Sequence, residues 1–138
     1  MTRYPCLEDR LVFVSGGGSG IGASLVEHFA LQDARVAFCD MDAAAADATI
    51  SALDGKCKHI PRFSRCDIRD IPAYQACLAQ IEAELGSIRV LINNAGNDTR
   101  HTLAELTPET WDNCLALNLK HHVFAIQQVA PGMALAGG

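Results

Sequence analysis

Apolar and polar positions follow two rhythms along the chain, and their order predicts strands alternating with helices. The continuous apolar run Leu11-Val12-Phe13-Val14, closed by Ser15, predicts a strand over 11–15 covered on both faces. After a glycine-rich break, Ile21, Leu25 and Phe29 recur four apart and predict a helix that turns this face inward. A second apolar run, Arg35 to Cys39, ends on Asp40-Met41-Asp42, where Asp42 can cap an alanine-rich helix that reaches Leu53 and is stopped by Gly55. His59 to Ser64 is a weaker third strand, and Pro61 inside it, having no N–H for a ladder, puts it at a sheet edge. Asp70 caps a helix whose Tyr74, Leu78, Ile81 and Leu85 share one face up to Gly86, and Ile88 to Ile92 form a fourth strand. Thr107-Pro108-Glu109 starts a last helix, expected to run to about Met133 with a bend at Pro131.

This alternation implies an α/β fold: a Rossmann-like, doubly wound parallel sheet with right-handed crossovers, strand order 3-2-1-4 and one domain over residues 1–138. Composition fits a globular chain that binds a small molecule. Hydrophobic residues make up 49% and the net charge of −5 comes from both signs spread along the sequence, which speaks against nucleic acid as a partner. Glu8, Asp9 and Arg10 fall where a signal peptide needs its apolar stretch, and no apolar run reaches membrane-spanning length, so a soluble cytoplasmic protein is expected. The six cysteines lie far apart without a C-x-x-C pair, which suits reduced thiols in apolar surroundings better than disulfides or a metal site. The five histidines show no ligand spacing and are read as surface or core residues.

The break after the first strand, Ser15-Gly16-Gly17-Gly18-Ser19-Gly20-Ile21-Gly22, reads as a phosphate-binding turn. Glycine at 16, 20 and 22 lets the backbone turn sharply, approach a ligand and seat the new helix on its strand, while the helix aims free N–H groups at an anion. The spacing is G-x-x-x-G-x-G, which meets neither G-x-G-x-x-G nor the P-loop pattern. Asp40 follows about twenty residues later, where a carboxylate accepts both adenosine ribose hydroxyls and repels the extra phosphate of NADP, so NAD is the expected cofactor. In such a sheet ligands bind at the carboxyl ends of the strands, which here are the glycine turn, Asp40-Met41, Cys66-Asp67-Ile68 and Asn93-Asn94-Ala95-Gly96.

The turn, with the hydroxyl of Ser15 in front of it, resembles the TGxxxGIG turn of the short-chain dehydrogenase/reductase family, which usually has Thr at that place. Asn93 to Gly96 matches the family's NNAG motif without change; physically, the amides can bond backbone left unpaired between strands one and four, and Ala95 and Gly96 leave room for a nicotinamide ribose. The resemblance implies that Ser15, Gly16, Gly18, Ser19, Gly20, Ile21, Gly22, Asp40, Met41, Cys66, Asp67, Ile68, Asn94, Ala95 and Gly96 contact the cofactor, with Asp67 meeting the adenine amino group. It also implies that Asn118, in Leu117-Asn118-Leu119-Lys120, is the Asn of the family's catalytic group.

In the family a Ser and a Y-x-x-x-K motif complete that group. The tyrosines here are Tyr4 and Tyr74, neither with Lys four residues on, and Ala134 to Gly138 resembles a loop leading to a further strand, so the chain reads as an N-terminal, cofactor-binding half with the sheet incomplete on its C-terminal side. Asn97 to His101, His121-His122 and Val129 to Met133 look like members that oxidise sugars at the anomeric carbon. Substrate readings are therefore a secondary alcohol or ketone, or an aldose. The competing reading is a non-catalytic NAD-binding module or a truncated product needing a partner. A homo-oligomer is expected, because strand four forms an edge and Phe124, Ile126 or Val129 would lack cover.

Overall fold

A computed structural model describes residues 2–137. Among them four strands form one parallel sheet in the order β3-β2-β1-β4, with β1 at Leu11–Ser15, β2 at Arg35–Asp40, β3 at Arg62–Arg65 and β4 at Val90–Ile92. The helices are α1 (Gly20–Ala30), α2 (Ala43–Ser51), α3 (Ile71–Leu85), α4 (Pro108–Leu115) and α5 (His121–Leu135), with a short 3-10 turn at Pro5–Leu7 ahead of the sheet. The order expected from sequence is the order observed, and it places β1 between β2 and β4, where the winding direction reverses.

Strand parity sorts the core into two faces. Leu11 and Phe13 of β1 with Ala37 and Cys39 of β2 pack beneath α3 and α5, against Tyr74, Leu78, Ile81, Ala125 and Val129. Val12, Val14, Val36 and Phe38 point the other way, onto Val26, Ala30, Ala46 and Leu53 from α1, α2 and the turn after α2. The caps are as read: the Asp42 and Asp70 side chains accept the Ala45 and Ala73 N–H groups, and Thr107 accepts that of Thr110.

Several boundaries differ from the sequence expectation. The buried stripe of α1 is Gly22, Val26 and Ala30, with Leu25 and Phe29 flanking it, while Ile21 in the first turn is 76% exposed. Pro61 precedes β3 and does not lie inside it, since the first residue that pairs with β2 is Arg62. Helix α2 ends at Ser51, and β4 is shorter than expected, starting at Val90.

The final helix is two helices. A π-helical stretch, Ala116–Lys120, separates α4 from α5, and Pro131 is accommodated inside α5, which continues to Leu135. Ala134 and Leu135 are thus helical where a loop was expected, and Gly138 lies outside the described residues. Val129 is fully buried, and the exposed apolar stripe of this region is instead Trp111, Leu115, Leu119, Val123 and Ile126.

Leu78, fully buried between α3 and the sheet, tests the packing. Leu78→Ala should lower unfolding stability by about 2–5 kcal/mol, read from urea midpoints. A loss well under about 1 kcal/mol would mean that α3 does not cover this face.

Candidate functional site

The carboxyl ends of β1, β2 and β4 are joined by side chains. Ser15, the last residue of β1, is fully buried, and its Oγ accepts the N–H groups of Asn94 at 3.0 Å and Ala95 at 3.1 Å. Asn94 answers across the same gap, its Nδ2 donating to the carbonyls of Ser15 and Gly16, both at 3.1 Å. The β1–β4 pairing ends at Val14↔Ile92, so these contacts satisfy backbone that the diverging strands leave unpaired. Of the two asparagines Asn94 does this; the Oδ1 of Asn93 is buried without a partner among the described residues.

The glycine turn lies on this staple. Gly16 adopts φ +69 and its N–H donates to the Cys39 carbonyl at 2.8 Å. A Cβ on Gly22 would stand 1.8 Å from the Gly16 carbonyl oxygen, so α1 can seat against β1 only with glycine there. Gly17, a variable position in the motif, is equally committed, because a Cβ on it would enter the Phe38 ring at 2.5 Å. Ser19 is the N-cap of α1 but makes no side-chain capping bond, which leaves the first-turn N–H groups for a ligand.

A cavity of about 530 Å³ opens over these strand ends. Gly16, Ser19, Ile21 and Gly22 line one side, Asp40 and Met41 the β2 end, Cys66, Asp67 and Ile68 the β3 end, and Asn94, Ala95 and Gly96 the β4 end. Four sequence candidates lie outside that wall. Ser15 sits beneath it as the staple, Gly18 and Gly20 border a separate cleft between α1 and α2, and Asn118 faces a second cavity with Asn97, His101 and Asn113. Cys39, Arg69 and Leu117 line the main cavity without having been singled out.

Three electrostatic features set its chemistry. The Asp40 carboxylate is held by two backbone donors, Oδ2 accepting from Gly18 at 2.9 Å and Oδ1 from Asp42 at 3.0 Å. Asp67 is gripped by Arg69, whose Nη2 donates to its Oδ2 at 2.7 Å and whose Nε donates to its Oδ1 at 3.0 Å; the guanidinium holds this carboxyl below the usual carboxylate range. Arg65, in register with Asp40, donates its Nε to the Met41 carbonyl at 3.2 Å. Neither the Arg69 pairing nor the placement of Arg65 was read from sequence.

The π-helical stretch and the turn after β4 grip one another. Asn118 accepts the Asn97 N–H on its Oδ1 at 2.7 Å and donates through Nδ2 to the Cys114 carbonyl at 3.1 Å. His121, one residue beyond the stretch, is fully buried, and its Nε2 lies 3.1 Å from the Ala95 carbonyl, a contact that needs the proton on Nε2. Burial pushes its pKa down, favouring the neutral ring. His121 is thus a core residue, one of the two options its sequence leaves open, and its neighbour three residues back, Asn118, is the available signal for its place at the site.

The family model described as "short chain dehydrogenase" matches residues 10–138. The chain belongs to the short-chain dehydrogenase family. It is 46% identical over 137 residues to the Rhizobium meliloti protein named "Probable galactose dehydrogenase GalD", covering 99% of this chain and 54% of that protein. It is 44% identical over 138 residues to D-xylose 1-dehydrogenase of Caulobacter vibrioides, covering 98% and 52%. Among solved structures, a Serratia marcescens short-chain dehydrogenase/reductase mutant superposes with a TM-score of 0.87 at 33% identity, covering 94% of this chain and 53% of that one. A metagenomic short-chain oxidoreductase in complex with NADP superposes at 0.88 and 27% identity, covering 94% and 59%. The chain thus spans about half the length of the curated relatives it matches. Among the described residues no helix is long and apolar enough to cross a membrane, and no group of three or more His, Cys, Asp or Glu side chains is placed to hold a metal.

Ser15→Ala removes one oxygen that serves two part-buried N–H groups. It should cost about 1–3 kcal/mol of unfolding stability for each N–H left unpaired. Urea midpoints unchanged from the parent chain would show that the β1–β4 staple is not needed.

Proposed function

We propose that this chain is the cofactor-binding half of an NAD-dependent oxidoreductase of the short-chain dehydrogenase type, acting on a secondary alcohol, ketone or aldose. The observation that carries the choice of NAD is Asp40, fixed by Gly18 and Asp42 on the cavity wall with lone pairs left for ribose hydroxyls. The turn over Gly16 and Gly22 fits a pyrophosphate, since it has no room for a Cβ and leaves its first helical N–H groups uncapped. Ala95 and Gly96 give the nicotinamide ribose a wall without bulk, and Asn118 serves in the catalytic group from its place beside Asn97.

When bound, the nicotinamide supplies the hydride acceptor or donor. The residues of this chain position it: Asp40 fixes the adenosine end, Ser15 and Asn94 hold the floor, and Asn118 with His121 sets the turn on which the reactive end rests. Among the described residues neither Tyr4 nor Tyr74 lines the cavity, and burial pushes the Tyr74 phenol well above its ordinary pKa, so neither serves as the family's acid/base. An aldose is favoured by the two relatives named for galactose and D-xylose. We place the complete protein in the cytoplasm as a homo-oligomer, supported by its free thiols and by the exposed stripe from Trp111 to Ile126.

NAD should bind more tightly than NADP. Asp40→Ala should weaken NAD by roughly ten- to a hundredfold, as loss of a charge-assisted contact of about 1.5–3 kcal/mol, and should narrow the gap to NADP because the carboxylate that repels the added phosphate is gone. Equal calorimetric affinities of the parent chain for the two dinucleotides would overturn the assignment.

A further inference from the structure

The strand order sets the order in which chemistry lines the cavity. Outward from the centre of the sheet, the 530 Å³ cavity meets the glycine turn after β1, then Asp40 at the end of β2, then Asp67 just past the end of β3. On the dinucleotide reading above, the turn takes phosphate and Asp40 takes ribose, so the β3 end faces what lies beyond that ribose, the base. Asp67 does not stand alone there. Arg69 lines the same cavity, and its guanidinium reaches from the β3 end across to α4.

Counting donors and acceptors shows what this pair has left for a ligand. The backbone N–H and the Nε of Arg69 both donate to Asp67 Oδ1 at 3.0 Å, Nη2 donates to Oδ2 at 2.7 Å, and Nε is shared with Oδ2 at 3.2 Å. Nη1 donates to the Oδ1 of Asn113 on α4 at 3.2 Å. A carboxylate oxygen accepts about two hydrogen bonds, and each terminal guanidinium nitrogen carries a pair of N–H groups. Oδ1 is therefore filled, whereas Oδ2 keeps room for a donor and Nη1 and Nη2 each keep a free N–H. The pair thus offers an acceptor and a donor whose heavy atoms, Oδ2 and Nη2, are 2.7 Å apart. Both side chains are partly exposed, so these groups are accessible. The guanidinium also holds the Asp67 carboxyl below the usual carboxylate range, which keeps Oδ2 an acceptor at neutral pH. Anchored at Asp67 and again at Asn113, the planar fork is fixed in one orientation.

We propose that Arg69 is a specificity-determining residue at the base end of the cavity: paired with Asp67, it reads the edge of a 6-aminopurine, Asp67 accepting from the exocyclic amino group and Arg69 donating to a neighbouring ring nitrogen. An acceptor beside a donor is the arrangement by which side-chain amides read adenine through two hydrogen bonds. A 6-oxopurine held in the same orientation sets its oxygen against the Asp67 oxygen, acceptor against acceptor. With the ribose fixed at Asp40 and the diphosphate at the glycine turn, the base cannot turn over to escape that mismatch, and the discrimination appears in affinity. This inference rests on the dinucleotide reading; the Asp67–Arg69–Asn113 connection itself does not.

The test is calorimetric titration of the 138-residue chain with adenosine diphosphate and with inosine diphosphate, which share ribose and diphosphate and differ only in the base. The parent chain should bind the adenosine nucleotide about tenfold or more tighter. Arg69→Ala, a change at an exposed side chain whose folding circular dichroism checks, should weaken adenosine diphosphate by about tenfold, leave inosine diphosphate within about threefold of its parent affinity and so bring the two near parity. Equal affinities of the parent chain for the two nucleotides would overturn the proposal and leave the dinucleotide reading standing. An Arg69→Ala variant in which both weaken by the same factor would overturn it too, because a merely structural role moves both alike. Binding of neither nucleotide would overturn the dinucleotide reading, and the base site with it.

Discussion

The gap between β1 and β4 is the constraint on which the rest of the structure depends. Two parallel strands must diverge where the winding reverses, and diverging strands strand their own N–H and C=O groups in a buried place. One hydroxyl and one amide resolve this: Ser15 accepts two N–H groups from the β4 side, and Asn94 donates to two carbonyls on the β1 side. Because Ser15 sits below the cavity and Asn94 within its wall, the rest of the floor can consist of backbone and of small residues such as Gly16 and Ala95. A fold-level problem of unpaired backbone and a functional need for an open crevice are met by the same atoms.

Seating of α1 follows from that floor. With Gly16 turned to positive φ and its carbonyl directed at Gly22, the helix axis is brought onto the strand end, and the first N–H groups of α1 face the cavity. Asp40 then couples the turn to β2, because the Gly18 N–H ends on its carboxylate. Asp40 thus also orders the glycine turn, so that a change at Asp40 alters the shape of that turn.

Much of this was legible in sequence wherever a single period or a single residue type carries the physics. The strand order, the caps at Asp42, Asp70 and Thr107, and the gathering of four strand ends followed from alternation and from donor and acceptor counts. Periodicity failed where tertiary context decides. Ile21 continues the apolar spacing of α1, yet it lines the open cavity and stays exposed. The π-helical stretch was invisible, since five residues with a changed bonding step barely disturb an apolar stripe, though they re-aim Asn118 and bring His121 under Ala95. Side-chain pairings such as Asp67 with Arg69 depend on rotamers and on packing, and no spacing rule encodes them.

The central claim is that the glycine turn and the ends of β2, β3 and β4 form one dinucleotide site. Backbone amide chemical shifts of the isotope-labelled chain, followed during titration with NAD, test it most directly. The account predicts saturable shifts that share one dissociation constant at Gly16, Gly18 to Gly22, Asp40 and Met41, Asp67 and Ile68, and Ala95 and Gly96. Shifts confined to the second cavity, around His101 and Asn113, or no saturable shifts at all, would contradict it.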